Sequence, residues 1–203
     1  MSTKNLIIEV ARKIFLEQGY KKANIRDIAN AANVSTGAIY GYFINKEKLY
    51  EAAIGPLPKE YYYKYIKAVT KIKDVDYLSM VKKLKQSHYD GIELFLDYVY
   101  ADIVAWKLVI NGEGTNYHSH LHSIVKKEVA AFNSFLDLLE KNGIKFFRPN
   151  KNLVKSLLLN LVEDLVQIIK LDLDRDEAIE YSTQLADFFF EGWIKLLKIQ
   201  NLA

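Results

Sequence analysis

The sequence predicts an all-α protein with an N-terminal three-helix helix-turn-helix head and a C-terminal helical-bundle body, paired as a homodimer through a four-helix bundle. Apolar residues recur at three- and four-residue spacing along nearly the whole chain, and no stretch alternates convincingly as a strand would. Capping and turn residues mark off short helices near the N-terminus. The last helix is apolar over an arc too wide to be satisfied by one core.

Taken in order, Leu6, Ile7, Val10, Ala11, Ile14 and Phe15 share one helical face, and Gly19 ends that helix. Asn24 is a good N-cap for the next, with Asp27 placed to return the interaction. Ile28, Ala29 and Ala32 then form its inner face. In the turn Ala32-Asn33-Val34-Ser35, Asn33 tolerates a left-handed backbone and Val34 plugs the core. Ser35 or Thr36 caps a short helix that turns Ile39 and Phe43 inward and leaves Thr36, Gly37, Tyr40 and Tyr42 outside. Small, hydroxyl and phenolic groups at such a helix start suit a DNA major groove. Asn45 caps a fourth helix over 46–54. Lys46 and Lys48 in its first turn oppose the helix dipole, as a DNA phosphate lying at that point would explain.

Preceded by Ile14-Phe15-Leu16-Glu17-Gln18-Gly19-Tyr20, this stretch resembles the N-terminal region of the tetracycline-repressor-like (TetR) family of bacterial transcription regulators. The resemblance is carried by Phe15, Gly19-Tyr20, Ile25-Arg26-Asp27-Ile28-Ala29, Ala32, Val34-Ser35, Gly37, Ile39-Tyr40, Tyr42-Phe43, Lys46-Glu47 and Leu49. Asn33 and Ala23 stand where the family has glycine and threonine, and Gly41 where a larger residue is common. The resemblance covers about a quarter of the chain. It implies a DNA-binding head over 1–48 and an effector-binding and dimerisation domain over 49–203. The expected DNA contacts are Asn24, Ser35, Thr36, Gly37, Ala38, Tyr40, Tyr42 and Lys46. Direct base contacts are least expected of Ala38 and Gly41, so the operator sequence is not readable.

Charge agrees with that division. Residues 1–50 hold eight Lys/Arg against four Asp/Glu, and the remainder twenty against twenty-one. A basic first quarter on a near-neutral body is the footprint of a small DNA-reading head. The chain has no cysteine, which excludes disulfides, thiolate metal sites and cysteine nucleophiles. Charges interrupt every long apolar run, and Met1 to Val10 shows no signal-peptide pattern, so a cytoplasmic location is expected.

Gly55-Pro56-Leu57-Pro58 is the expected joint between head and body. Beyond it, helices are expected over 59–72, 76–88, 91–110, 117–141, 151–172 and 175–199, with turns at Lys73-Asp74, Gly112-Glu113-Gly114, Asn142-Gly143 and Pro149-Asn150. Ile144 to Arg148 could form a short extended loop. Asp174 and Glu177 make a capping box for the last helix. One apolar stripe there holds Tyr181, Leu185, Phe188, Gly192 and Leu196; a second holds Ile179, Ala186, Phe189, Trp193 and Leu197. A surface helix needs only about 100° of apolar face. Two stripes therefore imply two partners, the chain's own core and a second copy, with Leu161 and Leu165 of the preceding helix joining the interface. A helix wholly buried within one subunit is the competing explanation.

On the expected helix 91–110, Glu93, Asp97 and Lys107 mark the solvent side, whereas Asp102 falls among Phe95, Tyr98, Val99 and Trp106. A carboxylate in that position must be paired, hydrogen-bonded or neutralised. Either a Tyr or Lys of a neighbouring helix satisfies it, or Phe95, Tyr98, Val99, Asp102 and Trp106 bind an apolar or aromatic effector. Tyr61-Tyr62-Tyr63-Lys64-Tyr65 adds a ring-rich segment of mixed burial that could line a ligand entrance. His118 and His122 share a face while His120 points away, leaving too few ligands for a metal. Gly112-x-Gly114 follows a helix rather than a strand and is a connection. Nothing suggests catalysis, a metal or a cofactor. The expected function is a dimeric regulator, in the first instance a repressor, that binds a near-palindromic operator and is released by a small molecule. The alternatives are an all-α dimeric ligand-binding or scaffold protein without DNA binding, and a helical metallohydrolase built on the histidines.

Overall fold

The computed structural model describes residues 1–69, 77–112 and 117–199, without the side chains of 66, 68–69, 77–85, 87–88 and 117–120. The expected turns at Lys73-Asp74 and Glu113-Gly114 and the side chains of His118 and His120 lie outside the described residues. The described chain is helical, in the order α1 (Thr3–Lys22), α2 (Ile25–Ala31), α3 (Thr36–Tyr42), α4 (Lys46–Ile54), α5 (Leu57–Val69), α6 (Tyr77–Ala101), α7 (Ile103–Asn111), α8 (Tyr117–Lys141), α9 (Lys151–Lys170) and α10 (Arg175–Leu197). None of the described helices is long and apolar enough to cross a membrane. The chain divides into two compact units, one of residues 1–60 and 101–118 and the other of residues 61–100 and 119–203.

The first unit is built around one apolar core. Ile7, Ala11, Ile14 and Phe15 of α1 meet Ile28 and Ala29 of α2, Ile39 of α3, Leu49, Tyr50 and Ala53 of α4, and Leu108 of α7, all buried. Full burial of a side chain of this size contributes about 1.5–3 kcal/mol. The Phe15 and Tyr20 rings each lie 4.8 Å from the Tyr50 ring, the first edge-on. Gly19 takes φ 76° and breaks the regular helix as expected, leaving a final turn to Lys22. Gly55 takes φ 73° and ends α4 ahead of the Pro56 and Pro58 that exclude a continued helix.

Where the chain was expected to run as one helix over 91–110, it forms two. Gly91 lies inside α6, so the break expected before it is absent, and the helix stops instead at Ala101. Asp102 leaves the helical conformation and its carboxylate accepts from the Ala105 backbone N–H at 3.0 Å, capping α7. The same carboxylate oxygen receives the guanidinium of Arg12 from α1. An aspartate favours a cap over a helix interior because its short side chain reaches the free N–H groups of the first turn. Asp102 thus has a structural partner, and it is an arginine rather than the tyrosine or lysine expected. Through this break α7 joins the first unit, as does α4, so that unit takes in more chain than residues 1–48. The Tyr50 hydroxyl donates to the Leu108 carbonyl at 2.6 Å, a bond across 58 residues of sequence.

In the second unit, α9 and α10 pack together, and the Tyr181 hydroxyl donates to the Asp164 carbonyl at 3.2 Å. Tyr100 donates to the Leu173 and Asp174 carbonyls at 2.7 and 2.9 Å, pinning the end of α6 to the α9–α10 turn. The capping box of Asp174 and Glu177 forms as expected. Leu136 and Leu139 of α8 close on Leu197 and Ile199, with the Phe132 ring 4.6 Å from Trp193. Residues 144–150 form neither helix nor strand, and the Phe147 N–H bonds the Leu197 carbonyl at 2.7 Å.

The two stripes of α10 separate in the structure. Ala178, Ser182, Ala186, Phe189 and Leu197 face inward, while Phe188 is 74% exposed and a Cβ added at Gly192 would meet nothing within 4 Å. Ile179, expected inside, is 41% exposed, because the buried stripe begins one residue earlier at Ala178. Ser182, which belongs to neither expected stripe, is fully buried and donates to the Ile179 carbonyl at 3.2 Å.

Asp102→Ala, which removes both the cap and the ion pair, should lower unfolding stability by about 1–2 kcal/mol. Asp102→Asn retains a cap acceptor and should cost less; equal losses in urea titrations would count against the cap. Burial pushes the Tyr50 phenol up to about 12, well above the ordinary value of a tyrosine. A raised folded value means that the contribution of Tyr50 is complete below pH 10 and is lost as pH rises toward 12. Tyr50→Phe should therefore cost about 1 kcal/mol at pH 7 and flatten the alkaline fall in stability.

Candidate nucleic-acid interface

Three successive N-caps shape the surface formed by α2, α3 and the start of α4. The side-chain oxygens of Asn24, Ser35 and Asn45 accept from the backbone N–H groups of Asp27, Ala38 and Lys48 at 2.9, 3.0 and 2.8 Å. Each satisfies one of the N–H groups left open at a helix start. Between α2 and α3, Asn33 takes φ 52°, the left-handed conformation expected of it, and Val34 N–H bonds the Ala29 carbonyl at 2.9 Å. Ile39 and Phe43 anchor α3 in the core.

That anchoring decides what α3 displays. Asn24, Ser35, Thr36 and Gly37 are exposed and Ala38 is partly buried. Tyr40 and Tyr42 are 55% and 50% exposed despite their large rings. A Cβ built on Gly41 would meet nothing within 4 Å, so a larger residue would find room there. Ile44, which was not singled out from the sequence, is 81% exposed between buried Phe43 and the Asn45 cap. The signal was there: an isoleucine that fits no helical face.

Lys46 is less free than its position suggested. Its ammonium donates to the Lys21 carbonyl at 3.3 Å and sits 4.6 Å from the Tyr20 ring centre, and partial burial lowers its pKa. Lys48 is paired with Glu51 at 2.7 Å. The lysines at the start of α4 therefore have partners within the chain, which the dipole alone did not suggest.

The expected effector residues are divided between the units. Phe95 and Val99 are buried in the second unit, where the half-buried Tyr98 has the Lys64 ammonium 5.0 Å from its ring centre. Asp102 and the buried Trp106 belong to the first. His122 is exposed, and no group of three or more His, Cys, Asp or Glu suited to a metal occurs among the described residues.

Residues 7–53 match the family described as bacterial regulatory proteins, tetR family. Over that head the chain is of the TetR type. Its relatives include the uncharacterized HTH-type transcriptional regulator YhgD of Bacillus subtilis, 44% identical over 57 residues, which are 28% of this chain and 30% of that protein. Another is the probable acrEF/envCD operon repressor of Escherichia coli K12, 44% identical over 50 residues, or 25% of this chain and 23% of that one. The matched segment thus spans less than a third of either relative. A likeness of fold covers nearly the whole chain. FadR from Bacillus subtilis, solved in complex with stearoyl-CoA, superposes with a TM-score of 0.57 at 16% identity, covering 93% of this chain and 98% of that one. The likeness of fold thus extends through both units, while the two sequence matches above cover no more than 28% of the chain.

If Tyr42 and Lys46 touch DNA, Tyr42→Ala and Lys46→Ala should weaken operator binding with little change in thermal stability. Loss of a lysine–phosphate contact should act on all sequences and lower the salt slope by roughly one. An unaltered slope in Lys46→Ala would leave that lysine with its structural role alone.

Proposed function

We propose that this chain is a transcriptional repressor that binds a near-palindromic operator as a homodimer and is released by a small-molecule effector. The observation that carries the proposal is α3, held by Ile39 and Phe43 and presenting Thr36, Gly37, Tyr40 and Tyr42 to solvent. A helix of this kind enters the major groove with its N-terminal residues on base edges, and capped backbone around it meets phosphate. Asn24, Ser35 and Lys46 flank α3 and, with Ala38 in its first turn, fill the positioning role. Ile44 adds an apolar contact to sugar or a thymine methyl.

Dimerisation is supported by α10. A single copy leaves Phe188 and Gly192 uncovered, with Tyr181, Leu185, Leu196 and Leu165 partly buried along the same face. A second copy related by a two-fold axis would cover them, the lack of a side chain at Gly192 permitting close approach. Leu161 is already buried in the single chain and has little surface left to contribute. Two heads are needed because half-sites lie about one helical turn apart. Release follows from linkage: an effector that prefers the conformation with badly spaced heads lowers operator affinity by the factor by which DNA lowers its own.

The test is to retain fragments of the source genome on the purified protein, sequence them, and measure binding to the enriched site against salt. The expected result is a near-palindrome bound with a steep salt dependence; a dimer that binds no duplex DNA would favour a ligand-binding or scaffold protein. Gly192→Arg should give monomers or insoluble protein and abolish operator binding. A well-folded Gly192→Arg dimer in sedimentation would place the interface elsewhere.

A further inference from the structure

Several of the cations that make the first fifty residues basic are taken up within the chain. Arg12 pairs with Asp102 and Lys48 with Glu51, while the Lys46 ammonium is held by the Lys21 carbonyl and the Tyr20 ring. Lys4 is different. It lies in the first turn of α1, which contains no acidic residue, and its charge there opposes the helix dipole. It is exposed, and among the described residues it makes no ion pair and no side-chain hydrogen bond.

The Lys4 ammonium lies instead 6.0 Å from the centre of the Phe43 ring. Phe43 is the C-cap of α3, with the half-exposed Tyr42 ring 6.4 Å from its own and the exposed Ile44 directly after it. The first turn of α1 therefore stands at the C-terminal end of α3, while Lys46 reaches the last turn of the same helix. In this way α1 runs alongside the connection between α3 and α4. At 6.0 Å the ring attracts the ammonium only weakly, and it leaves all three N–H donors of Lys4 open.

We propose that Lys4 binds a phosphate of the operator backbone and so makes the start of α1 part of the DNA-binding surface. The proposal rests on the reading of the chain as an operator-binding regulator. It adds a contact from outside the helix-turn-helix, since the contacts expected from the sequence run from Asn24 to Lys46. The chemistry favours a phosphate over a base edge. An ammonium on a flexible four-carbon stem is a point charge without the planar fork that reads a base pair best. A duplex that takes α3 into its major groove also presents backbone on either side of that helix.

The experiment measures binding of the full chain to the enriched operator fragment as salt is varied. Lys4→Gln should lower affinity at least about threefold and reduce the salt slope by roughly one for each bound chain. The loss should be equal on an unrelated duplex, because phosphate contacts carry no sequence information. Lys4→Arg keeps the charge and should keep the slope, and Lys4→Met serves as a second neutral variant. Lys170→Gln, at the exposed end of α9 in the second unit, removes the same charge and should leave the slope unchanged. Operator fragments carrying single methylphosphonates then locate the contact. At one position in each half-site the neutral linkage should weaken the unaltered protein at least about threefold and Lys4→Gln not at all.

An unchanged slope in Lys4→Gln, an equal fall in Lys170→Gln, or a scan in which no linkage separates Lys4→Gln from the unaltered protein would overturn the assignment. A loss confined to the operator would make Lys4 a base contact and overturn the phosphate assignment as well. If the unaltered protein binds the operator with a steep salt dependence and Lys4→Gln matches it, the regulator stands and only the role of Lys4 is wrong. If the unaltered protein binds no duplex DNA, the regulatory reading fails and this contact falls with it.

Discussion

A helix of seven residues has no stability of its own in water, so the exposed face of α3 exists only because something else holds it. Two side chains do most of this. Ile39 is fully buried and Phe43 nearly so, and they seat α3 on a core supplied by α1, α2, α4 and α7. Every group that α3 displays takes its direction from those two anchors. The neighbouring caps matter for the same reason: with so few turns, each helix start carries a large share of the backbone groups needing partners.

This dependence explains why residues far along the chain belong to the head. Leu108 fills the floor of the first core, and the Tyr50 hydroxyl holds its carbonyl. Arg12 and Asp102 fix the start of the same helix. Packing of α7 against α1 and α4 is therefore part of the core on which α3 is seated. The break at Asp102 lies immediately after α6, whose preceding turns belong to the second unit.

The second unit follows a different rule, since its helices are long enough to be amphipathic on their own account. In α10 the apolar arc is divided between a buried stripe and an open one. The exposed Phe188 beside the bare surface of Gly192 would be costly to leave in water. Glu128 of α8 presents the complementary case, a polar group inside rather than an apolar group outside, and the Tyr65 hydroxyl of α5 is its partner. The open stripe departs from the arrangement that stability alone would favour, and such departures concentrate where a protein meets something else.

The sequence by itself determined whatever depends on neighbours within four residues. The caps at Asn24, Ser35, Asn45 and Asp174, the left-handed Asn33, the turns at Gly19 and Gly55 and the inward positions of Ile39 and Phe43 all follow from local geometry. The same periodicity showed that α10 has two apolar stripes, though it misplaced Ile179 and passed over Ser182. Partners of charged and phenolic groups were not legible, because they lie far off in sequence and periodicity records only which side of a helix a residue occupies. Asp102 was recognised as a carboxylate in need of a partner, yet Arg12 is 90 residues away, and an aspartate inside a helix and one capping its break look alike in one dimension. Glu128 drew no attention, since a lone glutamate on a long helix is ordinarily solvated. Only the packing of α5 against α8 brings Tyr65 to it and withdraws it from part of its water.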